Sequence, residues 1–159
     1  MPVHHILDQR YNRCYSAFEF ASTVISLNDS RLGLSGTSVN WSSYLASHNP
    51  CAVLNTSTKG GWRVPNQMEL SIIAALGYYN SGTVPSGTIF LLTCSYSYFD
   101  IGGNTPGTNA ANPSGTINST YHYPLKCRIG DGGMTQSDQM YAAPINNNYY
   151  GVRCVRDTD

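Results

Sequence analysis

Charge is scarce in this chain. Lysine and arginine number 9, aspartate and glutamate number 9, and charged residues make up 11% of the 159, so no net field exists to draw in a phosphate backbone or an anionic membrane. Nucleic acid is therefore not an expected partner. Long apolar runs are missing as well. Runs such as Ile89 to Leu92 fall far short of the ~20 residues that cross a bilayer, and the opening "MPVHHILDQR" holds no apolar signal core. Direct membrane insertion is not expected, and an exported form would have lost its leader or been cut from a longer precursor.

Catalytic signatures are lacking too. No GxSxG elbow exposes a nucleophile, and the four histidines are scattered: His4 and His5 near the start, His48 in a helical stretch, His122 between two tyrosines. "DIGGNTPG" at 100–107 is glycine-rich, but it opens onto loop rather than helix, so a phosphate would meet no helix N-terminus there. "GDGG" at 130–133 lacks the acidic ladder of a calcium loop and reads as a turn. The five cysteines, Cys14, Cys51, Cys94, Cys127 and Cys154, form no CxxC and have no histidine at zinc-ligand spacing, so neither a metal nor a cofactor is expected. They read either as two disulfides with one leftover thiol or as five reduced thiols in a reducing compartment.

A chain of this length buries roughly 70% of its unfolded surface, enough for one core and one domain over residues 1–159. "YNRCYSAFEFASTVISL" from Tyr11 to Leu27 alternates loosely and predicts a strand or hairpin. A first helix is expected over about Asn40 to Ser47, broken or restarted near Pro50 and Cys51. The second is clearer. Asn66 followed by Glu69 makes a capping box, Pro65 and Leu70 stand at the staple positions, Met68, Ile72, Ile73 and Leu76 give an apolar face, and Gly77 is a left-handed stop. Glu69 is accordingly a cap rather than a general acid. "TIFLLTCSYSYF", "TYHYPLKCRI" and "NNNYYGVRCVRD" predict strands, with irregular loop from Asp100 to Ser119. Strand, helix, helix, then strands with long loops is an α+β order with antiparallel pairing.

Tyrosine is what the chain has in abundance, 12 in all. Tyr96, Tyr98, Tyr121, Tyr123, Tyr141, Tyr149 and Tyr150 come after residue 94, all but Tyr141 set among Ser, Asn, Asp and His in "CSYSYFD", "NSTYHYP" and "NNNYYG". Tyrosine offers large amphipathic contact area at small entropic cost, while Ser, Gly and Asn bond adaptably, which is the composition of binding loops. Tyrosine also suits the edge of a sheet, and any one of these can serve that end alone.

"NPCAVLN" and "GGWRVPNQMEL", with "YYGVRCVRD" far downstream, resemble the carboxy-terminal C-type lectin-like domain of many Bacteroidetes fimbrillin-type and other cell-surface proteins, a fold related to that of formylglycine-generating enzymes. The resemblance covers roughly Trp41 to Asp157. It implies a mixed sheet of short strands flanked by two helices, with the chain ends close together. It implies a disulfide from the first helical region, Cys51, to the last strand, Cys154. A second between Cys94 and Cys127 would leave Cys14 unpaired. Trp62, Arg63 and Pro65 would be scaffold residues that turn the chain into the second helix and pack on the terminal strand. The middle departs from the pattern, with "LLTCSYSYFD" where relatives often carry a "YWSST"-like strand. None of the EPN, QPD or WND triplets of calcium-dependent sugar binders occurs.

The same fold carries the variable proteins of diversity-generating retroelements, which the carboxy-terminal clusters resemble. That resemblance implies one exposed ligand-binding face made of Tyr96, Ser97, Tyr98, Tyr121, His122, Tyr123, Asn146, Asn147, Asn148 and Tyr149. The expected function is non-enzymatic recognition of a protein or glycan ligand on another cell, by a domain on a bacterial surface, a pilus tip or a phage. The alternatives are a formylglycine-generating type of thiol enzyme, which would use Cys94 and Cys127, and a structural pilin subunit.

Overall fold

The computed structural model describes residues 2–3, 7–8, 13–14, 17–34, 38–39, 41–97, 123–136, 143–144 and 149–158. Twelve short strands and two α-helices are found among them: β1 (Pro2–Val3), β2 (Leu7–Asp8), β3 (Arg13–Cys14), β4 (Phe18–Phe20), β5 (Ile25–Ser26), β6 (Ser38–Val39), α1 (Trp41–Ser47), α2 (Gln67–Ala75), β7 (Phe90–Ser97), β8 (Tyr123–Arg128), β9 (Met134–Gln136), β10 (Ala143–Pro144), β11 (Tyr150–Val152) and β12 (Val155–Asp157). This is the expected α+β class. A five-stranded sheet runs β5-β11-β7-β8-β9 and a three-stranded one runs β1-β4-β12. The larger sheet is mixed, because β11 pairs parallel with β7 while its other pairs are antiparallel. Pro2 and Arg156 both lie opposite Glu19, so the first and last strands stand on either side of β4.

Two apolar clusters pack on opposite faces of β7. Leu92 belongs to one with Trp41, Tyr44, Cys51, Trp62, Val152 and Cys154, while Leu91 belongs to the other with Phe20, Leu70, Ile73 and Cys127. Strand side chains alternate between faces, so neighbours on β7 serve different cores.

The α2 cap is as the sequence predicts. Glu69 N–H donates to Asn66 Oδ1 at 2.8 Å, Asn66 N–H donates to Glu69 Oε2 at 2.9 Å, and Gly77 takes a φ of 79° just beyond the end. The apolar face is turned from the one expected. Leu70 and Ile73 are fully buried and Ile72 only partly, whereas Met68 and Leu76 are 52% and 54% exposed. Between Met68 and Leu76 apolar residues occur on nearly every side of the helix, so its sequence does not choose a face; contact with β7 and β8 does.

The region from Tyr11 to Leu27 is not one hairpin. Its described parts, β3, β4 and β5, join three different sheets. The carboxy-terminal strand is also broken, since β11 ends at Val152 in the large sheet and β12 begins at Val155 in the small one. Arg153 and Cys154 make that crossing, both fully buried. Close approach fixes two glycines nearby. A Cβ on Gly151 would stand 2.7 Å from Val24 Cγ1, and one on Gly82, whose φ is 69°, would stand 2.0 Å from Ser22 O.

Cys51 and Cys154 form the disulfide that the resemblance implies, with Cα atoms 5.8 Å apart. Cys51 lies in a 3-10 turn, Pro50–Leu54, that Asn49 caps by accepting from Cys51 N–H at 3.0 Å. Cys94 and Cys127 are both free, which corrects the second pairing. Cys127 lies opposite Leu91 on one face of the sheet, while Cys94 packs against the cluster on the other, so the strand period alone keeps the two thiols apart. The thiol of Cys14 lies outside the described side chains. Alkylation of denatured, unreduced protein is expected to label Cys94 and Cys127 and to spare Cys51 and Cys154. Peptide mapping that finds a Cys94–Cys127 cross-link would refute this placement.

Candidate functional site

The stretch before α2 works as a corner. Arg63 exchanges two backbone hydrogen bonds with Val155, at 2.8 and 2.9 Å, so it packs on the terminal strand as the resemblance implies. Its guanidinium donates to Glu69 at 2.6 and 2.9 Å and to Asp157 at 2.9 Å. Trp62 is buried, with Lys59 Nζ 5.3 Å and Arg156 Cζ 5.8 Å from its ring centroid, and Asn49 Nδ2 donates to its carbonyl at 2.7 Å. Pro65 and Leu70, at the two staple positions, are both buried.

Beneath this corner Glu19 on β4 takes ion pairs from Lys59, at 2.8 Å, and from Arg156. Burial pushes the Glu19 pKa up, but hydrogen bonds and charge from Lys59 and Arg156 outweigh it, so the group stands below its usual 4.5. A carboxyl with a depressed folded pKa contributes stability above its unfolded pKa and loses it as pH falls through the folded value. The difference in unfolding free energy between wild type and Glu19→Gln should therefore be flat near neutrality and shrink below about pH 4.5. Urea melts at stepped pH check this, and a difference unchanged down to about pH 2 would tell against it.

The corner and both helices converge on one irregular stretch of β7. Leu92 pairs with Lys126 and Tyr96 with Pro124, so β7 takes four steps where β8 takes two. Thr93, Cys94 and Ser95 fill this bulge, and each is tied down. Trp41 Nε1 on α1 donates to the Thr93 carbonyl at 2.9 Å, Cys94 N–H donates to the Pro65 carbonyl at 2.9 Å, and Gln67 N–H at the start of α2 donates to Ser95 Oγ at 2.9 Å. Thr93 Oγ1 donates across to the Leu125 carbonyl at 2.7 Å, replacing a ladder bond. A bulge bends a strand and redirects its next residues, here Tyr96 and Ser97, with Tyr123 opposite Ser97. Sequence reasoning misses Thr93 and Ser95; their signal is a pair of hydroxyl residues interrupting "FLLTCS".

Three residues of the expected face, Tyr96, Ser97 and Tyr123, are thus brought together at one end of the β7–β8 pair. Tyr149 is not beside them. It is 51% exposed, and its carbonyl accepts from Ile89 and Phe90 N–H at 2.8 and 2.9 Å, at the opposite end of β7. Phe90 and Tyr96 lie opposite Arg128 and Pro124, four residues of β8 apart and so about 13 Å at ~3.3 Å per residue. Tyr98, Tyr121, His122, Asn146, Asn147 and Asn148 lie outside the described residues. Tyr150 belongs to the core, with its ring 5.9 Å from that of Phe90 and the ammonium of Lys126 3.9 Å over Phe90.

Burial disfavours the thiolate at both free cysteines, Cys94 in the bulge and Cys127 opposite Leu91. Burial, then Glu69, pushes the Cys94 pKa up, and burial, then Asp131, pushes that of Cys127 up to about 11. A reactive cysteine needs the opposite shift. Among the described residues no group of three His, Cys, Asp or Glu is placed to hold a metal ion, and no helix is long and apolar enough to cross a membrane. No family model matches the chain, and neither a curated protein nor a solved structure does.

Proposed function

We propose that the protein is a non-enzymatic recognition domain with a C-type lectin-like fold, displayed on a bacterial surface or pilus tip and binding a protein or glycan ligand through its tyrosine-bearing strand end. The observation that carries this reading is the bulge. α1, the corner and α2 each bond to one residue of Thr93–Ser95, so the frame holds the backbone fixed immediately before Tyr96 and Ser97. A surface that recognises by tyrosine contact gains from a backbone ordered in advance, because less entropy is lost on binding. The Cys51–Cys154 disulfide fits an oxidising location outside the cell.

Arrays of glycans and of cell-surface proteins, probed with wild type, Tyr123→Ala and Tyr149→Ala, test the reading. A ligand is expected whose affinity falls at least about tenfold with Tyr123→Ala, as for a contact worth more than ~1.4 kcal/mol. Tyr149→Ala measures whether the face reaches the other end of β7. A ligand that binds both variants as it binds wild type would remove tyrosine contact as the basis of recognition.

A further inference from the structure

Among the described residues β5 is an edge strand of the large sheet, paired with β11 on one side. On its outer side the chain begins a parallel pairing and then abandons it. Thr23 bridges Thr83, Thr83 N–H donates to the Ser22 carbonyl at 2.8 Å, and Val24 N–H donates to the Thr83 carbonyl at 2.9 Å. In continued register, residue 85 would donate to the Val24 carbonyl and accept from Ser26 N–H. Residue 85 is proline, which has no N–H, and its carbonyl accepts instead from Thr88 N–H at 3.1 Å. Pairing therefore ends at Thr83. A cleft of about 390 Å³ opens beyond it, between the outer edge of β5 and Pro85 and Ser86, with Asp29 and Arg31 also lining it.

The register with β11 decides which main-chain groups face this cleft. Leu27 N–H donates to the Tyr150 carbonyl at 3.0 Å, so Leu27–Tyr150 and Ile25–Val152 are the bonded pairs, and Ser26 stands opposite Gly151 in a non-bonded one. The Val24 carbonyl and Ser26 N–H consequently point outward. Ser26 C=O is already taken, accepting from Asp29 N–H at 3.0 Å. An outward carbonyl and an outward N–H two residues apart are what one extended residue of a parallel strand pairs with. Asp29 and Arg31 neutralise each other through bonds of 2.7 to 3.2 Å, so the lining carries no net charge and suits an uncharged segment.

We propose that this cleft binds an extended, uncharged peptide segment of a partner protein, which adds to β5 as a parallel strand in the place that Pro85 denies to the chain's own 83–86 stretch. The volume lies in the ~300–1,000 Å³ range of ligand sites, and strand addition at a free edge supplies affinity through the main chain. The site is separate from the tyrosine-bearing end, because β5 reaches β7 through β11 at Phe90 and Leu91.

Short random peptides displayed on phage are the probe. Selected peptides, resynthesised and measured by fluorescence anisotropy, should lose at least about tenfold in affinity against two variants. Ser26→Pro removes the outward N–H without touching a bond to β11, and Ser86→Trp fills the cleft from its exposed wall. N-methylation of one peptide residue should cause a similar loss, since it removes a main-chain donor and keeps the side chain. If Ser26→Pro does not fold, Ser86→Trp and the methylated peptide decide. Failure to select any peptide, or peptides that bind both variants and tolerate methylation at every residue, would overturn the proposal. Dimers that form with concentration and vanish in Ser86→Trp would overturn the partner, by showing a second copy of the chain there.

Discussion

Replacing Cys51 and Cys154 together by alanine lowers the unfolding free energy by about 4–5 kcal/mol. The bridge closes a sequence separation of 103 residues, and in the chain-entropy description a loop of that size restricts the unfolded chain by this amount. The native state adds to it. Both cysteines are fully buried in the cluster with Trp41 and Trp62, so two alanines also leave unfilled volume. Against a total stability of ~5–15 kcal/mol the loss is a large share. Urea unfolding of wild type and the double variant measures it, and wild type in reductant should move the same way. The double variant is the informative one, because a single change leaves a buried thiol facing the gap. A loss below about 1 kcal/mol would show that the crossing from β11 to β12 is held without the covalent link.

How much of the fold is legible in the sequence depends on the range of the interactions. The Asn66–Glu69 box, the Gly77 stop and the turn after β8 are written in adjacent residues, and all three are present. The Cys51–Cys154 pairing is legible only through resemblance, since five cysteines allow several pairings. What fails depends on face and register. Cys94 and Cys127 look like neighbours on adjacent strands, but one belongs to each face, and a one-residue change of parity decides that. Met68 and Leu76 look like core residues because apolar residues stand on nearly every side of the helix, yet both are exposed. Arg153 reads as one more residue of a strand, although it marks where the chain changes sheets. Of the site, the tyrosine clusters are visible as composition, whereas the bulge that bends the strand before Tyr96 depends on bonds to Trp41, Pro65 and Gln67 that no local pattern announces.

Arg153→Ala is expected to destabilise the protein by about 3–5 kcal/mol, nearly as much as loss of the disulfide, because buried carbonyls lose their donors and a large side chain leaves a cavity. The side chain is fully buried and meets no carboxylate among the described residues. Nη1 donates to the Ala21 carbonyl at 3.1 Å, and Nη2 donates to those of Tyr79 at 3.2 Å and Ser81 at 2.6 Å. Burial pulls the pKa down to about 10, which leaves the guanidinium charged at neutral pH. The three acceptors are backbone groups that no substitution removes. An apolar side chain at 153 would strand them without donors, so the usual tolerance for exchanging a buried ion pair for hydrocarbon does not apply. Arg153→Met, which keeps most of the volume, should fall between wild type and Arg153→Ala. Arg153→Lys keeps the charge but not the planar fork that reaches Ala21 and the 79–81 turn at once, so it too should lose stability. Thermal and urea melts rank the four proteins, with each kcal/mol worth about 2–4 °C at this chain length. Arg153→Met as stable as wild type would mean that the carbonyls find other donors, and that the crossing between the sheets is fixed by the disulfide and by the Ala21 N–H bond to the Cys154 carbonyl.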